Sequence, residues 1–186
     1  MGKTHNPNDH LKAIISSSSL EREVTDAEYG PLPRSELDSH ANMVVLCDHS
    51  FVFDQVDGNT CDVLPFDPNI GKSTEVPIVD GCIAYNCPNT QRTYLLVFKN
   101  ALHVPSMKHN LIPPFILREA GLVVNDTPKI HLQQPTQSDH AIIDPSSDLS
   151  ITLQLHNIFS FFHSRKPTAD EIAYSPRILM TPDSLD

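Results

Sequence analysis

The chain has 186 residues, enough for one domain with a true apolar core, and its 39% apolar and 19% charged content is that of a folded protein. Thirteen Lys+Arg against 23 Asp+Glu leave a net charge of −10. With no basic cluster to displace counterions, direct nucleic-acid binding is not expected. No apolar run approaches the roughly 18–20 residues that span a bilayer, so no membrane partner is expected either.

The first segment, "MGKTHNPNDHLKAIISSSSLERE", lacks the continuous apolar core of a signal peptide, and Met1-Gly2 followed by Asn6 does not fit a myristoylation pattern. "SSSS" at 16–19 is low in complexity, and "YGPLPRS" at 29–35 reads as a linker with two prolines. "HLKAII" and "LEREVTDAEY" carry only a thin apolar stripe. Residues 1–35 are therefore expected to be a flexible, disordered arm and linker.

From residue 36 the pattern changes. "ANMVVLCD" and "SFVFDQVD" are short, β-branched and aromatic, and "VDGNT" at 56–60 carries the Asp-Gly pair of a hairpin turn. "EVPIVDGCIAY" and "RTYLLVFKNALHVP" are the strongest strand runs, with "NCPNTQ" as the loop between them. "NLI" is a brief apolar run. "PPFILREAGL" reads as a short helix: Pro113 and Pro114 fall where the first turn tolerates a missing N–H, and Gly121 is a C-terminal stop. "LVVNDTPKIHL" reads as a hairpin turning at "NDTP". Residues 36–132 are thus expected to form a mainly β domain, a small closed or folded-over β barrel with one short helix.

Beyond residue 132, "QQPTQSDH" is a polar linker, "LSITLQLH" an alternating strand that must pair with something, and Phe159, Phe161 and Phe162 form an aromatic group read as a satellite cluster. Residues 133–186 are expected to be a linker plus this strand and aromatic segment.

The four cysteines, Cys47, Cys61, Cys82 and Cys87, do not make a disulfide scaffold in a chain of this length, and read as buried or half-buried thiols. Cys82 and Cys87 would face each other across a hairpin. A zinc site made from these cysteines with His103 and His109 lacks the spacing of a compact knuckle, so no metal and no cofactor are expected. Most of the ten histidines are expected at the surface. Asp48, Asp54 and Asp57 read as solvated loop acids.

The chemistry concentrates in "SELDSHANMVVL" at 35–46, where an acid sits at a tight turn between apolar runs. Peptide hydrolysis by carboxylates needs two of them sharing one proton, one activating a water and the other polarising the carbonyl. A chain with one such turn supplies one carboxylate, so the second must come from a two-fold copy. In that arrangement Asp38 is the catalytic acid, Ser39 supports the loop from beside it, and "NLI" at 110–112 crosses behind the loop. A hairpin flap is expected within "DGNTCDVLPFDPNIG".

The stretch "ELDSHANMVVL … VPIVDGCIAY … YLLVFKNALHVPSMKHNLIPPFILREAGLVVNDTPKIHL" resembles the protease region of copia-type retrotransposon polyproteins, in a branch of diatoms and other microbial eukaryotes where "LDSHA" replaces the usual Asp-Ser-Gly-Ala. The resemblance covers residues 36–132 and extends more weakly through "LSITLQLHNIFSFFHSRKPT", the part that would begin the next polyprotein region. It implies a retropepsin-like fold, a homodimer, and an aspartic endopeptidase that processes its own polyprotein in the cytoplasm or within virus-like particles. Catalysis falls to Asp38, with Ser39 beside it. His40 stands where the family has glycine. A histidine there is expected to carry a conformational cost, offset by a ring hydrogen bond, and to modulate the carboxylates' titration. The alternative is a catalytically inactive β domain of the same fold that serves in binding or assembly, and a lone Asp-Ser at a turn is commonly just an Asx turn.

Overall fold

The computed structural model describes residues 33–63, 73–136, 138–156 and 158–182, which belong to one compact unit. Of the expected arm and linker at 1–35, residues 1–32 lie outside the described residues, while Arg34 and Ser35 already belong to a buried strand; residues 64–71 of the stretch expected to hold the flap also lie outside them.

Strands dominate. They are β1 (Arg34–Leu37), β2 (Val45–Leu46), β3 (Phe51–Val63), β4 (Ser73–Cys87), β5 (Arg92–His103) and β6 (Asn110–Ile112). After helix α1 (Pro114–Glu119) come β7 (Val123–Asn125), β8 (Ala141–Ile143), β9 (Ser150–Thr152), β10 (Gln154–His156) and β11 (Phe159–His163). Helix α2 (Ala169–Tyr174) and β12 (Arg177–Leu179) complete the described elements. One nine-stranded sheet runs in the order β10-β11-β1-β6-β2-β5-β4-β3, with β12 also beside β5; a second sheet is β7-β8-β9.

The β4–β5 hairpin is the backbone of the sheet because it is apolar on both faces. Ile83, Tyr85, Tyr94, Leu96 and Phe98 enter the main core, while Cys82, Ala84 and Leu95 pack the other way against Phe51, Phe53 and Val97. This is the two-residue period of a strand read on both sides. Gly81 is required by close approach: a Cβ there would meet Leu46 Cδ1 at 2.8 Å and the Phe51 carbonyl oxygen at 2.9 Å. At the adjoining bulge Asn100 takes φ 54°, and its N–H donates to Asp80 Oδ1 at 3.0 Å. Helix α1 starts with Pro114 in its first turn and ends at Gly121, φ 87°, where the Leu122 and Gly121 N–H groups donate to the Leu117 and Arg118 carbonyls. Ile116 and Leu117 of α1 join Val124, Ile142, Leu149 and Ile151 of the small-sheet region in the main core.

Several expectations are corrected. The fold is mainly β, but no closed barrel is found among the described residues: the large sheet is an open path ending at β10 and β3. The main core is covered by α1 and the small sheet instead of by closure of the large one. Asp57-Gly58 is no hairpin turn; β3 runs through it with a register shift between Gln55 and Thr60. "NDTP" does not close a hairpin either, for β7 pairs with β8 and Lys129–His131 is a 3-10 turn. "LSITLQLH" breaks at buried Leu153, giving β9 to the small sheet and β10 to the large one. Cys82 and Cys87 lie along the same strand, β4, not across a hairpin. All four cysteines are free thiols, with Cys61 half-buried and the rest buried.

The segment after residue 132 is built into the same body. Phe162 is in the main core, edge-on to Tyr85 at 5.8 Å, so the aromatic group is no satellite. The second short helix was not foreseen. Its Thr168 and Glu171 form a capping box, and Arg165 grips Glu171 through both guanidinium nitrogens at 2.6 and 2.8 Å. Arg165 also donates to Asn86 Oδ1 at 2.9 Å, which ties α2 to β4. His140 is buried in a left-handed conformation, φ 68°, with Nε2 and Ser160 Oγ 2.8 Å apart across the two sheets.

The hydrogen bonds from Arg165, well ahead of the opposing effect of burial, hold the Glu171 carboxyl down to about 2. Arg165 is more than a third exposed, so solvent screening trims the pair, and Glu171→Gln should cost about 1 kcal/mol at neutral pH. A carboxyl depressed in the folded state stabilises above its unfolded pKa, so the difference between parent and variant should shrink as pH falls below about 4.5 toward 2. Urea melts across that range check both the size and the sign.

Candidate functional site

Asp38 stands at the C-terminal end of β1, and the path of the chain around it follows from three short strands. β1 runs into the 38–43 turn, and the chain returns as β2. Between them lies β6, parallel to β1 with Leu37 opposite Ile112, and antiparallel to β2 with Val45 opposite Leu111. The Asp38 N–H donates to the Ile112 carbonyl at 3.1 Å, so the acid is held where β1 leaves the sheet. "NLI" therefore does cross behind the loop, and α1 follows it.

A buried polar line fixes this crossing. Asn110 is fully buried at the head of β6. Its Nδ2 donates to Ser35 Oγ on β1 at 3.1 Å, and its Oδ1 accepts from the Cys47 N–H beyond β2 at 2.9 Å. One amide thus bonds both neighbours of its own strand. The Cys47 carbonyl accepts from the Ser50 hydroxyl at 2.7 Å and from its N–H at 3.1 Å, closing the turn into β3. Burial pushes the Cys47 thiol up, which keeps it a neutral packing group. On the other face of β1, buried Arg34 is paired to Glu36 at 2.7 Å and lies 5.1 Å over the Phe161 ring.

At the turn itself, Asp38 is half-buried while Ser39 and His40 are exposed. The His40 N–H donates to Asp38 Oδ1 at 2.9 Å, which is an Asx turn. His40 Nδ1 lies 3.8 Å from that oxygen and 3.4 Å from Ser39 Oγ, on a side chain that is 96% exposed. All three named residues are therefore together, but both side-chain contacts of the ring converge on one nitrogen. A Ser-His-Asp relay needs the acid on one ring nitrogen and the hydroxyl on the other, so these neighbours do not form one. His40 is also absent from the residues with positive φ, so it carries no left-handed strain. The conformational cost expected of a histidine in a glycine's place is not there.

Sequence reading passed over Ser35 and Asn110. The signal was present in "RSEL" and "NLI", where a small polar side chain interrupts residues destined for the core, a placement that demands buried hydrogen-bond partners. Among the described residues, no group of three or more His, Cys, Asp or Glu side chains is arranged to hold a metal ion, and no helix is long and apolar enough to cross a membrane.

No family profile, curated protein or solved structure matches the chain.

Two outcomes test this geometry. Asn110→Ala leaves the buried Cys47 N–H without its acceptor and should cost about 2–3 kcal/mol in a denaturant melt. His40→Gly should lower stability by about 0.5–1 kcal/mol, because glycine adds freedom to the unfolded chain and relieves no strain in the folded one. A rise in melting temperature for the glycine variant would mean that His40 is strained after all.

Proposed function

We propose that this chain is the protease region of a copia-type retrotransposon polyprotein and acts as a homodimeric aspartic endopeptidase. The observation that carries the reading is the insertion of β6 between the two strands that flank the Asp38 turn, with the Asp38 amide bonded to Ile112. It supports a retropepsin-type loop, in which a half-buried carboxylate is presented at a fixed point and a single chain provides one half of the site.

In the dimer the two Asp38 carboxyls face each other and share one proton. The ionised one takes a proton from a water, and the water oxygen adds to the scissile carbonyl carbon while the protonated one donates to the carbonyl oxygen. Collapse of the tetrahedral species breaks the C–N bond, and the amine leaves with a proton from the dyad. Ser39, exposed beside Asp38, is the group placed to meet the partner's loop. His40 sits at the rim, where its ring modulates the field on the dyad without entering the proton path.

Substrate closure falls to the ribbon of β3 and β4. Beyond Ile78, β4 no longer pairs with β5, yet β3 and β4 remain paired from Thr60 and Pro77 out to Val63 and Ser73. Val76 of this ribbon is buried with Val45 and Leu102, and Cys61 and Val63 pack against them, so the ribbon has an apolar base on the body from which a flap over an extended peptide can be held. The substrate is polypeptide, with the parent polyprotein first in line, and the setting is the cytoplasm or a virus-like particle.

A second reading, an inactive domain for binding or assembly, has its own support: one Asp38 carboxylate oxygen is already engaged by the Asx turn. The two part on one experiment. The purified chain is incubated with a peptide library, with and without pepstatin, and compared with Asp38→Asn. The protease reading expects pepstatin-sensitive cleavage that disappears in the nearly isosteric variant and whose rate per chain rises with protein concentration before levelling off. Cleavage retained by Asp38→Asn, or a rate per chain independent of concentration well below the dimer dissociation constant, contradicts it.

A further inference from the structure

We propose that Ser164 is a positioning residue for the Asp38 loop, and that the C-terminal segment bearing it is consequently part of the protease's working unit. The inference rests on the reading of Asp38 as the catalytic carboxylate, and deepens it by naming what holds that carboxylate in place.

Ser164 follows β11, in the stretch where the resemblance to the protease family is only weak. Its Oγ lies 2.8 Å from Ser35 Oγ, and both residues are buried. Ser35 is also the acceptor of the Asn110 side chain, and Asn110 in turn accepts from Cys47. The result is one polar line across four neighbouring segments, from the end of β11 through β1 and β6 to the residue after β2. It passes beneath the Asp38 turn, three residues from the carboxylate. Ser35 Oγ accepts from Asn110, and the Ser164 hydroxyl is its second side-chain partner in a buried setting.

Ser164 is itself a fixed point. Its N–H donates to the Pro33 carbonyl at 3.3 Å. The next residue, Arg165, exchanges two backbone bonds with Ala84, at 2.8 and 3.1 Å, and its side chain is pinned by Glu171. β1 is therefore located from its outer side by a hydroxyl anchored to the β4–β5 hairpin, and from its inner side by Asn110. Removing this hydroxyl leaves the β1–β11 backbone ladder in place but takes away the side-chain bond that fixes Ser35, so β1 loosens within its ladder and the carboxylate at its end is held less firmly.

The test uses Ser164→Ala and, as a second variant of near-equal volume, Ser164→Cys in the full chain. Amide hydrogen exchange reads the Asp38 and Cys47 N–H groups against two remote ones, Asp144 and Leu153, which bond to Leu149 and His140. Local loosening should speed Asp38 and Cys47 exchange by about ten-fold relative to the remote pair in both variants, whereas a loss of global stability speeds all alike. On a cleaved peptide, kcat should fall by about ten-fold with KM nearly unchanged, since a displaced carboxylate loses reaction geometry and not substrate contacts. Unaltered Asp38 and Cys47 exchange relative to Asp144 and Leu153, or equal loosening everywhere, overturns the proposal. A parent chain without peptidase activity would instead sink the protease reading, while the exchange pattern would still decide whether Ser164 holds the loop.

Discussion

The placement of Asp38 depends on one buried amide. A strand inserted between two others must hold both neighbours, and backbone ladders as short as those of β1, β6 and β2 give little margin. Asn110 adds a side-chain bond in each direction from a fully buried position, where water offers no substitute. The low-dielectric setting makes each bond worth more and its loss more costly. An apolar residue there would pack well and leave the register between the flanking strands to chance. The polar choice trades some burial energy for a defined position of the turn.

The large sheet stays open, ending at β10 and β3. β11 occupies the outer side of β1, and β12 and β2 share the free edge of β5. β3 lies at the far end of the path, paired with β4 and not with β10, and Val76, Cys61 and Val63 of this pair pack against Val45 and Leu102. The core is instead sealed by α1 and the three-stranded sheet, whose Val124, Ile142 and Ile151 join the same apolar cluster as Leu37 and Ile112. Strand β1 thus carries Asp38 at its end while being gripped along both edges.

How much of this was legible depended on how local the signal was. "EVPIVDGCIAY", "RTYLLVFKNALHVP" and the helix bounded by Pro114 and Gly121 announce themselves through period, proline and glycine, and they stand as read. Asp57-Gly58 is an equally strong local signal, but a long paired ribbon absorbed it as a bulge. "LSITLQLH" shows perfect alternation, yet alternation says which face is buried and not which sheet supplies the neighbour, so the switch at Leu153 was invisible. The contribution of Ser164 to β1 spans 129 positions, a separation that no window of sequence can report. At the site, the Asp-Ser-His stretch was legible as a turn presenting an acid. What positions it, Ser35 and Asn110, was legible only as a question about where buried polar groups find their partners.

The most direct measurement of the central claim is oxidative cross-linking of a Ser39→Cys variant, with the bridged residue mapped by mass spectrometry. Two Asp38 turns that meet across a dimer axis bring the neighbouring residues 39 within disulfide reach, so mild oxidation of dilute protein should give a dimer joined through position 39 that falls apart on reduction. A chain that sediments as a monomer and forms no bridge at position 39 would contradict a shared site and leave Asp38 as the cap of an Asx turn.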